Sequence, residues 1–388
     1  MTDLVFITPR FPYPLTKGDK LRAFHQLEGL SEQFRVHLIA IDENTVAESD
    51  MEVVKAFCAS VNVFVVPKYK RIFQVLLSPL TKLPLQVAYF HNRRTAKKIN
   101  YLISQIAPAA VHCHTIRVAG YCHKIKGPSL SLDFMDAFGK GMERRESAES
   151  NLLKRLLFRY EKNQLYRYET AVFSCFDRFC IISEQDKLEI TSSRKGEIEV
   201  IPNGVDFRTF YPKNEQKLYD LVFMGNMSYP PNIDAVIYLC TEILPLIRQT
   251  FPEVRLLIAG IGAGAAIESL RSAYVDVRSD FEHISDSMAL SKIMIAPMRL
   301  SIGLQNKILQ SMAMEVPCVI SKLSNNAIGA PHPETIRECE IPEEFAAQVK
   351  ELLLNPETSH NIAKSASNFV REQYSWQQKN EQLANLIL

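Results

Sequence analysis

Short runs of apolar and β-branched residues recur along the chain, separated by stretches with the three-and-four spacing of amphipathic helices. In the first half the runs fall at 4–8, 35–41, 61–66, 110–115, 130–134, 178–183 and 198–203. In the second half they fall at 221–226, 254–260, 275–279, 293–297, 317–321 and 336–339. Several are apolar from end to end rather than alternating, as strands of a parallel sheet covered on both faces are. Strands alternating with helices mean βαβ units. Thirteen strands in 388 residues exceed one doubly wound sheet, so two Rossmann-like α/β domains are expected, facing each other across a cleft.

The run Ile201-Pro202-Asn203-Gly204-Val205-Asp206 ends a strand on a turn signal, and Tyr211-Pro212-Lys213-Asn214 reads as linker. The expected division is therefore 1–207 and 208–370. A C-terminal helix over 371–388 is expected to pack back towards the first domain, anchored by the single tryptophan, Trp376. Ligands of such sheets lie beyond the carboxyl ends of the strands. The loops that follow each strand are thus where chemistry is sought.

Composition narrows the picture. An apolar fraction of 47% and a charged fraction of 23% exclude a disordered chain, a collagen and a coiled-coil rod. The net charge of +2 is no nucleic-acid footprint. That charge is unevenly spread: residues 1–208 carry 30 Lys and Arg against 23 Asp and Glu, and 209–388 carry 15 against 20. Between 67 and 110 there are Lys68, Lys70, Arg71, Lys82, Arg93, Arg94, Lys97 and Lys98 and no acid. They interleave with Ile72-Phe73, Val75-Leu76-Leu77 and Tyr89-Phe90. Such a stretch is either a solvated helix face or a surface for anionic lipid over 68–98, where each cation adds ~1 kcal/mol. The eight cysteines form no C-x-x-C pair and read as buried thiols of a reducing compartment. No apolar run reaches about 18 residues, and Met1-Thr2-Asp3-Leu4 lacks a signal-peptide flank. A cytoplasmic location is expected, peripheral on the inner face of the plasma membrane if the lipid reading holds.

Glycine is scarce, 14 residues in all, so its clusters are informative. The strongest local signal runs from Ala296-Pro297-Met298-Arg299 through Gly303-Leu304-Gln305-Asn306-Lys307 to Gln310 and on to Val319-Ile320. It reads as strand, loop, helix, strand. Gly303 lets backbone approach a ligand, and the helix expected from about Leu304 offers free N–H groups and a positive dipole end to a diphosphate. Arg299 and Lys307 add charge. Gln310 follows Lys307 by three positions, on the same helix face.

This segment resembles the donor-binding stretch of the retaining glycosyltransferases of family four, which have the GT-B fold. It is especially similar to the exopolysaccharide-associated branch whose members read I-Q-N-K-x-L-E-A-M-A-M. Three further segments agree in order: 12–22, 201–206, and Phe223-Met224-Gly225-Asn226-Met227 continuing to Ala235. The resemblance implies a nucleoside diphosphate sugar donor, a glycan or lipid-linked acceptor, no metal, and no cofactor besides the donor. It implies donor contacts at Gly18, Gly225, Asn226, Gly262, Gly303, Leu304, Gln305, Asn306 and Gln310. It also implies front-face substitution, in which the leaving phosphate oxygen helps to deprotonate the acceptor. Two departures stand out. The family's paired glutamates are here Ile302 and Gln310, so ribose is expected to meet an uncharged amide. The usual Arg and Lys after the first strand of the second domain are missing, and Arg299 and Lys307 are expected to stabilise the diphosphate instead.

In the first half, Lys17, Asp19 and Lys20 flank Gly18 in what reads as a loop before a helix over 21–30. His112 and His114 share one strand face, with no further ligand nearby for a metal site. His114, at the strand's carboxyl end, is expected to touch sugar or acceptor. Asp136 is a candidate for acceptor hydroxyls or a base, or else a helix cap. The expected catalytic set is Arg299, Lys307, His114 and Asp136. Two other functions fit the same fold: a nucleotide-sugar epimerase, which needs carboxylates around the sugar, and a non-catalytic sugar-nucleotide binder. The missing glutamates disfavour the first and support the second.

Overall fold

The computed structural model describes residues 1–281, 283–300 and 303–388. It divides the chain into two compact units, Met1–Pro202 with Trp376–Leu388, and Asn203–Ser375. The division falls five residues before the one expected at 207. The closing helix belongs to the first unit from Trp376 onward.

The first unit is built on strands β1 (Thr2–Thr8), β2 (Phe34–Asp42), β3 (Ser60–Val65), β4 (Ala110–His114), β5 (Ser129–Asp133), β6 (Arg178–Ile181) and β7 (Ile198–Val200). All pair in parallel, in the order β3-β2-β1-β4-β5-β6-β7. Leu4 through Ile7 of β1 are wholly enclosed, which is why that run is apolar without alternation. The second unit carries β8 (Tyr219–Met224), β9 (Leu256–Ala259), β10 (Val275–Arg278), β11 (Ser291–Ala296), β12 (Cys318–Ser321) and β13 (Arg337–Cys339). Their order is β10-β9-β8-β11-β12-β13, again all parallel. Each sheet is thus doubly wound. The order in which strands are added reverses between β1 and β4 in the first unit and between β8 and β11 in the second. Those two points open a crevice at the carboxyl ends of the strands.

The tail is two helices, not one. Pro356–Gln373 packs in the second unit, where the Tyr374 hydroxyl donates to the Ile328 carbonyl at 2.6 Å. Trp376–Ile387 packs in the first, against the helix Gly18–Leu30. Trp376 stacks on His25 at 4.9 Å between rings, and Asn380 Nδ2 donates to the His25 carbonyl at 2.9 Å. A Cβ on Gly29 would lie 1.9 Å from Asn380 Nδ2, so only glycine lets the two helices approach this closely.

The basic stretch does not form one surface. Arg71 is buried, its guanidinium donating to the carbonyls of Val66 at 2.8 Å and Ile41 at 3.0 Å. Lys68, Lys70, Lys82, Arg93, Arg94, Lys97 and Lys98 are exposed. All eight cysteines are free thiols. Among the described residues, no helix is long and apolar enough to cross a membrane.

Candidate functional site

In the second unit three loops meet beside the β8/β11 crevice. The loop after β8 holds Gly225 and Asn226. Gly225 N donates to the Ala259 carbonyl at 3.0 Å and Met227 N to the Ile261 carbonyl at 2.7 Å, which joins this loop to the one after β9. At Gly260, φ is +143°, and a Cβ there would meet the Gly225 carbonyl oxygen at 1.8 Å. The two loops therefore cross backbone on backbone. Gly262, with φ of +79°, lies against Asn226 and Ser228. Asn226 is exposed, with Oδ1 accepting from Ser228 N at 2.9 Å and from Ser228 Oγ at 2.6 Å.

The third loop follows β11. Gly303 and Leu304 are half-buried, Leu304 against the core. The helix starts at Asn306, two residues later than expected, with Gln305 at its cap position making no capping bond. Gln305 Oε1 is buried and without a hydrogen bond among the described residues. Asn306 Oδ1 accepts from Asn203 Nδ2 at 3.3 Å. Ile308, Leu309 and Met312 anchor the helix in the core. Gln310 is half-buried. Ile302, where the first family glutamate is expected, lies outside the described residues.

Lys307 is the centre of this arrangement. Its Nζ donates to Asn232 Oδ1 at 2.9 Å, sits 3.7 Å from Met298 Sδ and lies 4.1 Å over the Phe223 ring. Among the described residues no carboxylate pairs with it. Burial pushes its pKa down from 10.5 to about 7. Asn232, itself buried, returns Nδ2 to the Asn226 carbonyl at 2.9 Å, so one side chain links the two loops and orients the ammonium. Arg299 stands differently. It is half-exposed, forked on Asp234 at 2.5 and 3.1 Å and stacked 4.3 Å from the Tyr238 ring. Its charge is already matched by a carboxylate; that of Lys307 is not.

In the first unit the β1/β4 crevice holds a second cluster. Gly18 is the first residue of a helix rather than part of a loop, and its backbone φ is not positive. Asp19, nearly buried, pairs with Arg10 and lies 3.9 Å from Arg117. The neighbouring guanidinium groups hold its carboxyl below the usual range, although burial opposes them. Arg117 stacks 4.6 Å from the Phe138 ring, and burial lowers its pKa to about 10. Lys20 Nζ donates to the Tyr13 carbonyl at 3.2 Å. His114 is wholly enclosed, with Nε2 3.0 Å from the Asp19 carbonyl and Nδ1 3.7 Å from Asp133. With no exposed surface, it positions Asp19 instead of presenting itself to a ligand. His112 is equally buried and bonds Ser131 Oγ at 2.8 Å. Among the described residues, no three His, Cys, Asp or Glu side chains group to hold a metal.

Asp133 and Asp136, three residues apart, have different fates. Asp133 is buried on Arg22 at 2.6 Å, Gln26 at 3.0 Å and Met135 N at 2.8 Å. Asp136 is half-buried and pushed up to about 7 by burial, by Asp186 and by Asp133, against Arg117. Thr115 and Met135, at φ of +73° and +64°, end β4 and β5 in the left-handed region, a backbone bend costly for side-chain-bearing residues. The bend at Met135 directly precedes Asp136.

Sequence reasoning passed over Asn232, Asp234, Arg10 and Arg117. Asn232 and Asp234 lie in the quoted 223–235 segment, but a helix-internal Asn gives no sign that it bridges to Lys307. Arg10 and Arg117 follow β1 and β4, so the rule that ligands lie beyond strand ends points to both.

Residues 219–355 match the family described as Glycosyl transferases group 1. Over 390 aligned residues the chain is 22% identical to an uncharacterized 44.6 kDa protein in the cps region of Klebsiella pneumoniae, covering 96% of this chain and 97% of that one. Among solved structures, a glycosyltransferase from Rickettsia africae superposes with a TM-score of 0.70 at 12% identity, covering 100% and 98% of the two chains. Anabaena Alr3699/HepE in complex with UDP-glucose gives 0.68 at 13% identity, covering 99% of each. These structural likenesses are of fold, the GT-B pairing of two Rossmann-like units. The family match lies wholly within the second unit.

Proposed function

We propose that the chain is a retaining glycosyltransferase that moves a hexose from a nucleoside diphosphate sugar to a glycan or lipid-linked acceptor in cell-surface polysaccharide synthesis. The observation that carries this reading is Lys307. It is a largely buried ammonium with no carboxylate partner among the described residues, aimed by Asn232 at the crevice of a group 1 domain. A diphosphate supplies the missing counter-charge. In the transition state, negative charge grows on the leaving phosphate, where Lys307 and the free N–H groups of the Asn306 helix stabilise it. Arg299 supports the same charge if it exchanges Asp234 for phosphate. Gln310 accepts or donates to ribose hydroxyls, and Gly225, Asn226, Gly262, Gly303, Leu304, Gln305 and Asn306 line the nucleotide.

On the first unit, Asp136 holds an acceptor hydroxyl. A carboxyl with a pKa of about 7 exchanges a proton readily at neutral pH. His114 and Asp19 position the start of the Gly18 helix. No step here calls for a metal. The Klebsiella relative's printed cps-region name supports the polysaccharide setting.

The test is nucleotide release from a panel of UDP-, GDP- and ADP-sugars with acceptor extracts. Consumption of one donor, slowed by Lys307→Ala and with its nucleotide affinity weakened by Gln310→Ala, supports the reading. Saturable binding without turnover favours the non-catalytic binder, and unchanged turnover in both variants removes the assigned site.

A further inference from the structure

Most large apolar side chains of a folded domain point inward, and those left outside are normally scattered. In the first unit they gather on two neighbouring elements. The helix Lys68–Leu76 and the turn after it expose Tyr69, Ile72, Phe73, Leu76 and Leu80, the last two at 72% and 81%. The helix Leu152–Ala171 begins with Leu152, Leu153, Leu156 and Leu157, all about half exposed or more, and 78% at Leu153. Positions i, i+1, i+4 and i+5 form one helical face, and among the described residues none buries it.

The two groups are joined. Glu161 accepts from Leu85 N at 2.6 Å and Gln86 N at 3.0 Å, fixing the chain after Leu80 to this helix one turn beyond Leu157. Five residues of chain reach at most about 18 Å and one helical turn about 6 Å, so no more than about 24 Å separates Leu80 from Leu157. Exposed large apolar side chains are ordinarily scattered singly, and groups of five and four on neighbouring elements are not.

Charge identifies the occupant. Lys68 and Lys70 stand in the first turn of one helix and Lys154 and Arg155 in the first turn of the other, with no acidic residue in either first turn. The helix Arg93–Ile106 likewise opens on Arg93 and Arg94. Cations there oppose the macrodipole, whose positive end already lies at the helix start. Lys68, Lys70, Lys82, Lys154 and Arg155 are exposed and have no carboxylate partner among the described residues. The arrangement costs stability in water and is relieved against a surface that is apolar below and anionic at its boundary.

We propose that the first unit docks on an anionic lipid leaflet. Leu152, Leu153, Leu156, Leu157, Phe73 and Leu76 enter the headgroup boundary, and Lys68, Lys70, Lys154 and Arg155 meet lipid phosphates. The docking surface excludes Arg71, which is held by backbone carbonyls. It adds the start of the 152–171 helix to the basic stretch that the sequence singles out. It is independent of the donor reading, which concerns the other unit.

The experiment is flotation of the full chain with vesicles of phosphatidylcholine alone and of phosphatidylcholine with about one quarter phosphatidylglycerol, alongside light-scattering mass across concentration. The wild type floats with the anionic vesicles only. Leu153→Gln with Leu157→Gln, or Phe73→Gln with Leu76→Gln, lowers the bound fraction at least ~10-fold, as does Lys154→Glu with Arg155→Glu. All three pairs are exposed, so none of them lowers the melting temperature. Absence of flotation, or flotation indifferent to all three pairs, overturns the proposal. So does a concentration-dependent dimer abolished by the leucine pair, since a second copy of the chain is then the occupant.

Discussion

Replacing Lys307 by Met keeps length and apolar bulk and removes the ammonium. Lowering its pKa from 10.5 to about 7 means that holding the charge there costs up to about 5 kcal/mol, at about 1.4 kcal/mol per tenfold change in proton affinity. Methionine loses the hydrogen bond to Asn232 Oδ1 and leaves that oxygen unpaired, which costs about 1–3 kcal/mol. The net expectation is a variant more stable than wild type by up to about 2–4 kcal/mol at pH 6. For a unit of this size, that raises its melting temperature by up to roughly 4–16 °C. The folded pKa lies below the unfolded one, so the wild-type penalty is complete below pH 7 and fades as pH climbs towards 10.5. The gap in melting temperature therefore narrows between pH 6 and pH 9. The same variant loses roughly 10- to 100-fold in nucleoside diphosphate affinity, the worth of one charged hydrogen bond. In the wild type, binding draws a proton onto Lys307, so affinity falls as pH rises above 7. Scanning calorimetry at the two pH values and titration calorimetry with UDP, GDP and ADP measure all of this. A variant less stable than wild type at pH 6, with nucleotide affinity unchanged, refutes the reasoning.

Three other outcomes are expected. Asp136→Asn lowers the transfer rate at least ~10-fold, and it removes a rise in wild-type rate through pH 7 as the carboxylate forms, read from a pH–rate profile. Gln310→Glu supplies a charged acceptor for ribose hydroxyls and tightens nucleotide binding by about 1 kcal/mol, read by titration calorimetry; unchanged affinity places ribose elsewhere. Gly260→Ala sets a methyl 1.8 Å from the Gly225 carbonyl and destabilises the second unit by more than about 3 kcal/mol, read by urea denaturation.

The central strands were legible because they are enclosed on both faces and so read as nearly unbroken apolar runs, whereas the edge strands β3, β7, β10 and β13 carry polar or half-buried positions. The two reversal points followed from the strand order, which sequence does not give. What the sequence concealed were partnerships. The run at 67–110 reads as uniformly basic, yet Arg71 is buried because two backbone carbonyls need a donor at that spot. Leu152, Leu153, Leu156 and Leu157 have the spacing of an ordinary core-facing helix stripe, and only the fold reveals that they are exposed. Gly18 reads as a loop residue but starts a helix. His114 reads as a cleft residue because it ends a strand, yet Phe6, Asp19 and Asp133 close around it. Arg299 and Lys307 look equivalent in sequence, and only their partners distinguish the matched cation from the unmatched one.

The central claim is sugar transfer from a nucleoside diphosphate donor held at Lys307. Its most direct test is donor-dependent release of nucleoside diphosphate with a glycan or lipid-linked acceptor present, comparing wild type with Lys307→Ala. The account predicts turnover with one donor of the panel and a loss of at least ~10-fold in the variant. Equal turnover in both proteins, or donor binding with no release under any acceptor, contradicts it.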